Sequence, residues 1–320
     1  KSVIMKIVFL DGYTVNPGDI SWDELSELGD LTVYDRTEPE NVLERAKDAE
    51  VLIVNKTGLQ REHFEQLPSL KLVCVAAAGY DRIDVQSAAE HGVWVCNAAG
   101  YGSESVAQMF FSLLLELTNR VGHYARANRN GFWSKSPDFC CWNQPLIELW
   151  GKRLAIVGFG RIGEVVARMA HAFGMQIVAV THRKDLPEYV TPVTVDEAFK
   201  TCDVVSLNAP LTAENRHFVN TALLGKAKPG LLLINTARGA LVDELAVVEA
   251  LKSGILGGYA ADVMEHEPPC ENHPFWTLEN VFITPHIAWV TTEARMRLMK
   301  IMADNIRGYL TGRLQNVVNK

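Results

Sequence analysis

A glycine-rich turn, Gly158–Gly163, has the sequence G-F-G-R-I-G and is the clearest candidate for a binding site in this chain. The turn follows the apolar stretch Leu154–Val157, which predicts a strand, and precedes a helical pattern from Glu164 to Phe173. In that context the first glycine permits a tight turn, the second lets the backbone approach a pyrophosphate, and the third lets helix and strand pack closely. The phosphates then lie at a helix N-terminus, where N–H groups point at an anion. The turn therefore predicts a dinucleotide site formed by Gly158, Gly160, Arg161, Ile162 and Gly163.

The end of the next predicted strand bears on which dinucleotide binds. NAD enzymes usually offer a carboxylate to the ribose hydroxyls there, whereas this chain has Thr181, His182, Arg183 and Lys184. A basic cluster binds a 2′-phosphate that a carboxylate would repel. We therefore predict that NADP(H) is preferred, that Thr181 and His182 line the site, and that Arg183 is the main phosphate ligand. NAD(H) is the alternative cofactor, and a solvated surface turn is the alternative interpretation of the cations.

Three further loops, each after a predicted strand, contain Arg238, Glu267 and His286. Loops at the carboxyl ends of strands converge on the ligand in an open α/β sheet, so we expect these side chains to meet beside the dinucleotide. A guanidinium matches a carboxylate, an imidazole transfers protons near neutral pH, and a neighbouring carboxylate favours the imidazolium form. Such a set suits the reduction of a 2-keto acid. Taken singly, the three residues are better explained as a surface cation, a loop acid and a strand-end histidine, and only their combination favours catalysis.

The elements that must position these residues form two series of β-rich stretches alternating with helical patterns. The first series predicts strands at Lys6–Leu10, Leu31–Tyr34, Val51–Val54, Leu70–Ala76 and Val93–Cys96. The second predicts strands at Arg153–Gly158, Gln176–Thr181, Val204–Leu207, Leu231–Thr236, Gly258–Val263 and Val281–Thr284. Each series predicts an α/β domain with a parallel sheet.

Two long helical patterns and one connector link the two series. An apolar helix is predicted from Ser103 to Arg120, with Ser103 as its N-cap, and an aromatic connector follows from Phe132 to Trp150. The pattern from Thr291 to Leu310 suits a helix that returns to the first domain. We therefore predict a discontinuous first domain, residues 1–99 with 289–320, and a second domain of residues 100–288.

Composition excludes several classes of protein. The 320 residues are 48% hydrophobic and 22% charged, which is typical of an ordinary two-domain globular enzyme. The net charge of -7, without a Lys/Arg stripe, argues against nucleic-acid binding, and no apolar run reaches membrane-spanning length. The 6 cysteines lack metal-type or disulfide-framework spacing, so we expect no metal site and a cytoplasmic location. The N-terminus leads directly into a strand without a signal-peptide pattern, and Met5 is the expected native start.

Together these motifs resemble the D-isomer-specific 2-hydroxyacid dehydrogenase family over nearly the whole chain. The matching segments are Ile234–Gly239, Ala261–Pro269 and Thr284–Trp289, which contain the three residues described above. The resemblance implies a Rossmann dinucleotide-binding domain inserted in a smaller flavodoxin-like α/β substrate domain. It implies hydride transfer between NADP(H) or NAD(H) and a small 2-keto or 2-hydroxy acid, with Arg238, Glu267 and His286 as catalytic residues. It also implies a homodimer formed through the dinucleotide-binding domain.

The resemblance assigns further binding residues. The loop Ala76–Asp84 is similar to the family's substrate loop, so the N–H groups of Ala78 and Gly79 are expected to hold the substrate carboxylate together with Arg238. Asp262 is expected to hold the cofactor carboxamide, and a helix cap or a turn acid is the alternative role. The expected cofactor-side contacts are Asn97, Val106, Asn208, Pro210, Thr236, Ala237, Asp262, His286 and Ala288.

Two segments are similar to one group of enzymes within this family. Tyr101–Gln108 and Asp138–Trp142 resemble the glycerate dehydrogenases that act as hydroxypyruvate reductases, although Gln108 replaces the family's commoner Glu. The expected substrates are hydroxypyruvate and glyoxylate, and the expected products are D-glycerate and glycolate. We hypothesise that Trp142 contacts substrate in a neighbouring subunit, and for Trp133 we expect core packing.

Other functions are also compatible with this architecture. A dehydrogenase of a larger D-2-hydroxy acid and a dinucleotide-sensing corepressor that binds peptide partners are the alternatives. Formate dehydrogenases are disfavoured because they carry Gln where this chain has Glu267, and because formate oxidation has no carbonyl oxygen to protonate.

Overall fold

The computed structural model describes residues 4–319, so the residues before Ile4, which bear on the expected start at Met5, lie outside it. The chain divides into two compact units, Lys1–Gly102 with Trp289–Lys320, and Ser103–Ala288. Among the described residues, no helix combines the length and apolar character that a membrane crossing needs.

Twelve strands and eleven helices are found in the described residues. The strands are β1 Lys6–Phe9, β2 Asp30–Val33, β3 Val51–Val54, β4 Leu72–Val75, β5 Trp94–Cys96, β6 Arg153–Val157, β7 Gln176–Val180, β8 Val190–Pro192, β9 Val204–Leu207, β10 Leu231–Asn235, β11 Leu256–Ala261 and β12 Val281–Ile283. The helices are α1 Asp23–Ser26, α2 Val42–Ala46, α3 Arg61–Gln66, α4 Val85–Glu90, α5 Ser103–Asn119, α6 Val121–Arg129, α7 Arg161–Ala172, α8 Val195–Thr201, α9 Thr221–Leu224, α10 Glu244–Lys252 and α11 Thr292–Leu310.

The first unit is built on a parallel sheet of order β2-β1-β3-β4-β5, which is the flavodoxin-like order. Its central strands β3 and β4 are buried along their whole length, as parallel strands covered on both faces are. Helix α11 packs against β4 and buries Leu298 and Met302 in the core of this unit. Its N-cap Thr291 accepts a hydrogen bond from the Ala294 N–H group, which fixes where the helix begins.

The second unit is built on a seven-stranded parallel sheet of order β12-β11-β10-β9-β6-β7-β8. The chain starts in the middle with β6, proceeds to β8 at one edge, returns to β9 and proceeds to β12, which is the doubly wound Rossmann order. Successive residues of β10 enter different cores, with Leu231 and Leu233 on one face and Leu232 and Ile234 on the other. The predicted fold class is therefore confirmed, and the reversal between β6 and β9 marks where such sheets bind ligands.

Three features of the second unit differ from the sequence-based expectation. The short edge strand β8 and helix α6 were not predicted. The expectation of core packing for Trp133 is wrong, since 56% of this residue is exposed and its indole N–H donates to the carbonyl of Phe139 at 2.9 Å. Trp133 therefore braces the connector locally instead of filling a core.

Candidate active site

The three glycines of the 158–163 turn have different structural reasons to be glycine. Gly158 has a φ of +91°, and a Cβ there would lie 2.6 Å from the Ala209 nitrogen. A Cβ on Gly163 would lie 2.6 Å from the carbonyl oxygen of Gly158, so this glycine lets α7 pack against the turn. Gly160 has no positive φ, and a Cβ there would meet nothing within 4 Å. The protein's own packing does not require glycine at 160, as expected where a ligand approaches the backbone.

Helix α7 begins at Arg161, directly after Gly160, so the turn delivers the chain to a helix N-terminus. The N–H groups of Arg161, Ile162 and Gly163 occupy the first helical positions, which have no acceptor in their own helix. The positive end of the dipole of this twelve-residue helix lies at the same point. The turn can therefore bind an anionic pyrophosphate through backbone groups and dipole together.

Two buried polar atoms near the carboxyl ends of the central strands have no hydrogen-bond partner within residues 4–319. They are the Oδ1 of Asn208, which follows β9, and the Oγ1 of Thr236, which follows β10. Buried polar groups are nearly always hydrogen-bonded, so unpaired ones need a reason. Both residues are predicted cofactor contacts, and a bound dinucleotide would supply polar partners there. The residues present therefore fit a nicotinamide dinucleotide.

The other predicted cofactor contacts are distributed around the same sheet edge. Val106 lies in the first turn of α5 and is half-buried, while Thr181 directly follows β7 and accepts a hydrogen bond from the Arg183 N–H group at 3.1 Å. Pro210 is exposed just beyond Asn208, and its carbonyl accepts from the Asn215 side chain at 2.7 Å. His182 is exposed beside Thr181.

Two acids that lie outside residues 181–184 surround Arg183. Residues 181–184 contain no acid, but Arg183 forms ion pairs with Asp185, at 2.8 Å, and with Glu164 of α7. The guanidinium also donates to the carbonyl of Phe159 in the glycine turn at 3.3 Å. Arg183 therefore lies beside the glycine turn, in contact with two carboxylates.

The three residues expected to be catalytic follow three neighbouring strands. Arg238 follows β10, Glu267 follows β11 and His286 follows β12, and the last residues of these strands pair in register. The Nδ1 of His286 lies 2.7 Å from Oε2 of Glu267, and Oε1 of Glu267 accepts from the Met264 N–H group at 3.0 Å. The structure thus brings the acid and the imidazole into direct contact. Nδ1 is taken by the carboxylate, so Nε2 is the ring nitrogen left for another partner.

The turn bearing Arg238 is held by two residues that sequence reasoning did not single out. Buried Asn235 accepts from the Ala237 N–H group at 3.0 Å and donates to the Arg238 carbonyl at 2.8 Å, so its amide brackets the turn. A Cβ on Gly239 would lie 2.0 Å from the backbone carbon of Met264, so only glycine lets the loop after β11 approach the Arg238 turn. The alternation of β10 could have marked Asn235, since a buried amide in an apolar strand needs partners.

Asp262 is tied to the loop that contains His286. Its Oδ1 accepts from Thr284 Oγ1 at 2.5 Å and from the Ile287 N–H group at 2.9 Å, and its Oδ2 accepts from the Ala288 N–H group at 2.7 Å. Burial raises the pKa of Asp262, and these three hydrogen bonds oppose that rise. His286, between these anchors, has a φ of +56°, which is uncommon for a residue other than glycine. The carboxylate therefore holds the His286 loop in an otherwise unfavourable conformation.

A second polar network supports the loop that contains Glu267. Glu244 accepts from the Glu265 N–H group at 2.9 Å through Oε1, and its Oε2 lies 3.0 Å from Nε2 of His273. The Glu265 carboxylate in turn contacts Arg216 and, at 2.8 Å, His217. No motif or spacing in the sequence relates these residues, which come from four separate segments.

In the first unit, the predicted substrate loop follows β4. The Asn97 side chain donates to the Ala78 carbonyl at 2.7 Å, and the Ala98 N–H group donates to the Ala77 carbonyl at 3.0 Å. These two hydrogen bonds fix the positions of the Ala77 and Ala78 carbonyls. Asn97, expected to contact the cofactor, fixes the predicted substrate loop through its side chain, and its own carbonyl accepts from Asn305 at 3.0 Å.

Two remaining predictions concern Trp142 and metals. Trp142 lies in the connector after α6 with 68% of its surface exposed. Within the described part of the chain, no group of three or more His, Cys, Asp or Glu side chains could hold a metal ion.

Comparison with known proteins identifies relatives over the whole chain. The profile for "D-isomer specific 2-hydroxyacid dehydrogenase, NAD binding domain" matches residues 111–288. A hydroxypyruvate reductase of Blautia hydrogenotrophica is 42% identical, with 99% of this chain and 100% of that protein covered. A glycerate dehydrogenase of Methylorubrum extorquens is 35% identical, with 98% of each chain covered. Among solved structures, an NADPH-dependent glyoxylate/hydroxypyruvate reductase of Sinorhizobium meliloti in complex with NADP and malonate superposes with a TM-score of 0.86 at 28% identity, covering 99% of this chain and 97% of that one.

Proposed function

Because this chain belongs to the D-isomer-specific 2-hydroxyacid dehydrogenase family, we propose that it reduces hydroxypyruvate and glyoxylate to D-glycerate and glycolate. The observation that carries the proposal is the 2.7 Å contact between His286 and Glu267 on loops next to the Arg238 turn. A carboxylate, an imidazole and a guanidinium on three neighbouring strand ends supply what the reduction of a 2-keto acid needs from a protein. The names of the relatives support the substrate assignment.

The proposed roles follow from the chemistry of each side chain. The nicotinamide dinucleotide, when bound, supplies or accepts the hydride. His286 donates a proton from Nε2 to the substrate carbonyl oxygen, while Glu267 keeps Nδ1 protonated and stabilises the imidazolium form. Arg238 binds the substrate carboxylate through its guanidinium, as do the N–H groups of Ala78 and Gly79. In the reverse direction His286 accepts the proton from the hydroxyl group.

We propose that the second unit is the dinucleotide-binding domain and the first unit the substrate-binding domain. The glycine turn, Asn208 and Thr236 all belong to the second unit, and the Ala78–Gly79 turn belongs to the first. We further propose that NADP(H) is preferred over NAD(H), with Arg183 as the ligand of the 2′-phosphate. The position of Arg183 beside Phe159 of the turn and the NADP bound to the Sinorhizobium meliloti relative support this preference.

We propose a homodimer formed through the dinucleotide-binding domain. The connector exposes large apolar side chains close together in sequence, with Phe139 90% exposed and Trp150 75% exposed. Contiguous exposed apolar surface marks interaction sites. Exposed Cys140 in the connector should react with a thiol reagent more slowly in a dimer than exposed Cys270 does.

The six cysteines are unpaired, which supports a reducing compartment, and we propose the cytoplasm.

The test of the proposed function is a hydride-transfer assay that follows nicotinamide absorbance. NADPH and NADH are each combined with hydroxypyruvate, glyoxylate, pyruvate and phenylpyruvate, and His286→Gln serves as the inactive control. We expect the highest kcat/KM with hydroxypyruvate or glyoxylate. Highest activity with phenylpyruvate would assign a larger D-2-hydroxy acid instead. Tight dinucleotide binding without turnover of any keto acid would overturn the enzymatic proposal in favour of a dinucleotide-sensing role.

A further inference from the structure

Arg183 is an unusual phosphate ligand because all the hydrogen-bond donors of its guanidinium are already used. Nε and Nη2 donate to the two carboxylate oxygens of Asp185 at 3.1 and 2.8 Å, and Nη2 also donates to the Asp185 carbonyl at 3.3 Å. Nη1 donates to Glu164 and, at 3.3 Å, to the Phe159 carbonyl. A guanidinium has five N–H donors, and these five contacts account for them. A phosphate can reach Arg183 only by displacing one of these acceptors.

The charges of this cluster also oppose a phosphate. One guanidinium faces the two carboxylates of Glu164 and Asp185, so their sum is one negative charge. The hydrogen bonds from Arg183 lower the pKa of the Asp185 carboxyl, which is therefore ionised at neutral pH. A phosphate monoester carries about -1.5 to -2 at that pH and is repelled by the carboxylates. Uncharged ribose hydroxyls, in contrast, can donate hydrogen bonds to them.

A phosphate can nevertheless displace the two carboxylates from Arg183. The Asp185 side chain is 80% exposed and that of Glu164 is 44% exposed, so neither is locked by packing. Exposed ion pairs are weak, and a bidentate phosphate is a strong partner for arginine. Exposed Lys184 adds local positive charge. Binding of the 2′-phosphate is then an exchange of one anion for another on Arg183, and the net gain is smaller than for an unpaired arginine.

We propose that Glu164 and Asp185 are specificity-determining residues that compete with the 2′-phosphate of NADP(H) for Arg183. They lower the discrimination between NADP(H) and NAD(H), so that the enzyme accepts both. This inference rests on the proposed dinucleotide site but not on the identity of the keto acid. It predicts that removing either negative charge increases the preference for a 2′-phosphorylated cofactor.

The experiment measures the Kd of adenosine 2′,5′-bisphosphate and of adenosine 5′-monophosphate by titration calorimetry on the full chain. The variants are Glu164→Gln, Asp185→Asn and Arg183→Met. Glu188→Gln is the charge-matched control, because exposed Glu188 lies three residues after Asp185 and forms none of the Arg183 contacts described above. In Glu164→Gln and Asp185→Asn we expect the affinity for the bisphosphate, relative to the monophosphate, to rise about two- to fivefold, the range for an exposed ion pair. Glu188→Gln should change this ratio less, and Arg183→Met should abolish the preference.

Three other results of these titrations would contradict the inference or the proposed dinucleotide site. An unchanged or lower ratio in both Glu164→Gln and Asp185→Asn would overturn the inference, because the carboxylates would then only orient Arg183. A rise of the same size in Glu188→Gln would also overturn it by assigning the effect to net charge. If neither nucleotide binds the wild-type chain, the dinucleotide site of the proposed function fails as well. Kinetic selectivity, kcat/KM for NADPH over NADH with hydroxypyruvate, should follow the binding ratio in all variants.

Discussion

His286 and Glu267 are joined by a 2.7 Å contact between Nδ1 and Oε2, although 19 residues separate them in the chain. They meet because β11 and β12 are parallel neighbours whose last residues, Ala261 and Ile283, pair in register. Parallel strands deliver all their carboxyl ends to one edge of the sheet. The contact is therefore a consequence of strand order, and it is the first feature to test.

Replacing His286 by Gln should lower kcat by about 100- to 10,000-fold, the usual contribution of a general acid–base group. Glu267→Gln should lower kcat less, because the imidazole remains but loses its negatively charged partner. Calorimetric titration with the dinucleotide should give a nearly unchanged Kd for both variants. A large loss of dinucleotide affinity in His286→Gln would instead assign His286 to cofactor binding.

The glycine turn offers a matched pair of substitutions. Gly160→Ala should leave the melting temperature unchanged, because its Cβ would meet nothing within 4 Å, but it should weaken dinucleotide binding. Gly163→Ala should lower the melting temperature, because its Cβ would lie 2.6 Å from the Gly158 carbonyl oxygen. Calorimetry provides both quantities. Gly160→Ala with wild-type affinity would show that no ligand approaches the backbone at this glycine.

The strand-turn-helix context of residues 154–173 and the strand-end positions of Arg238, Glu267 and His286 could be predicted because they depend on local patterns. Helix α6 could not, since it is short and mostly polar, and none of its nine residues is buried, so no apolar run marks it in the sequence. Strand β8 is a three-residue edge strand that ends in Pro192, too short for a periodic signal.

The partners of polar side chains were the hardest part of the site to predict. Glu164 and Arg183 are 19 residues apart in different elements, and only the packing of α7 beside β7 brings them together. The same holds for Glu244 and Glu265, whose contact depends on the loop after β11 lying against the start of α10. The residue types in a sequence indicate which chemical groups are available. The partners of those groups, and therefore their charge and orientation, depend on contacts between residues that are distant in the sequence.

Replacing Asp262 by Asn should lower kcat/KM about tenfold, which corresponds to about 1.4 kcal/mol. The amide retains one acceptor for Ile287 and Thr284, but its nitrogen would face the Ala288 N–H group as a second donor. The pH profile separates this role from a general loss of folding. Because burial raises the pKa of Asp262, its protonation should contribute to the loss of wild-type activity on the acid side. An acid limb that is unchanged in Asp262→Asn would contradict this assignment.

Replacing Trp142 by Ala should raise KM for the keto acid about tenfold, or about 1.4 kcal/mol, while KM for the dinucleotide changes little. The reason is its proposed contact with substrate in a neighbouring subunit. Trp133→Ala is the matched control from the same connector, since its indole N–H contacts only the Phe139 carbonyl among the described residues. Equal effects of the two substitutions on KM would dismiss a specific role for Trp142.

The ion pair of Asp19 with Arg295 should make the stability of the first unit depend on pH. Arg295 is buried and donates to both oxygens of Asp19, at 2.7 and 2.6 Å, and these hydrogen bonds lower the pKa of Asp19. A carboxyl with a lowered native pKa stabilises the fold above its unfolded pKa of about 3.9, and this contribution is lost as pH falls through the native value. Asp19→Asn should therefore melt at a lower temperature than wild type between pH 5 and 8, at roughly constant difference, and this difference should disappear as the pH falls below the lowered native pKa of Asp19. Glu27→Gln, an exposed acid on the neighbouring turn, should show no such convergence, and a difference for Asp19→Asn that persists at the lowest pH would contradict the assignment to this ion pair.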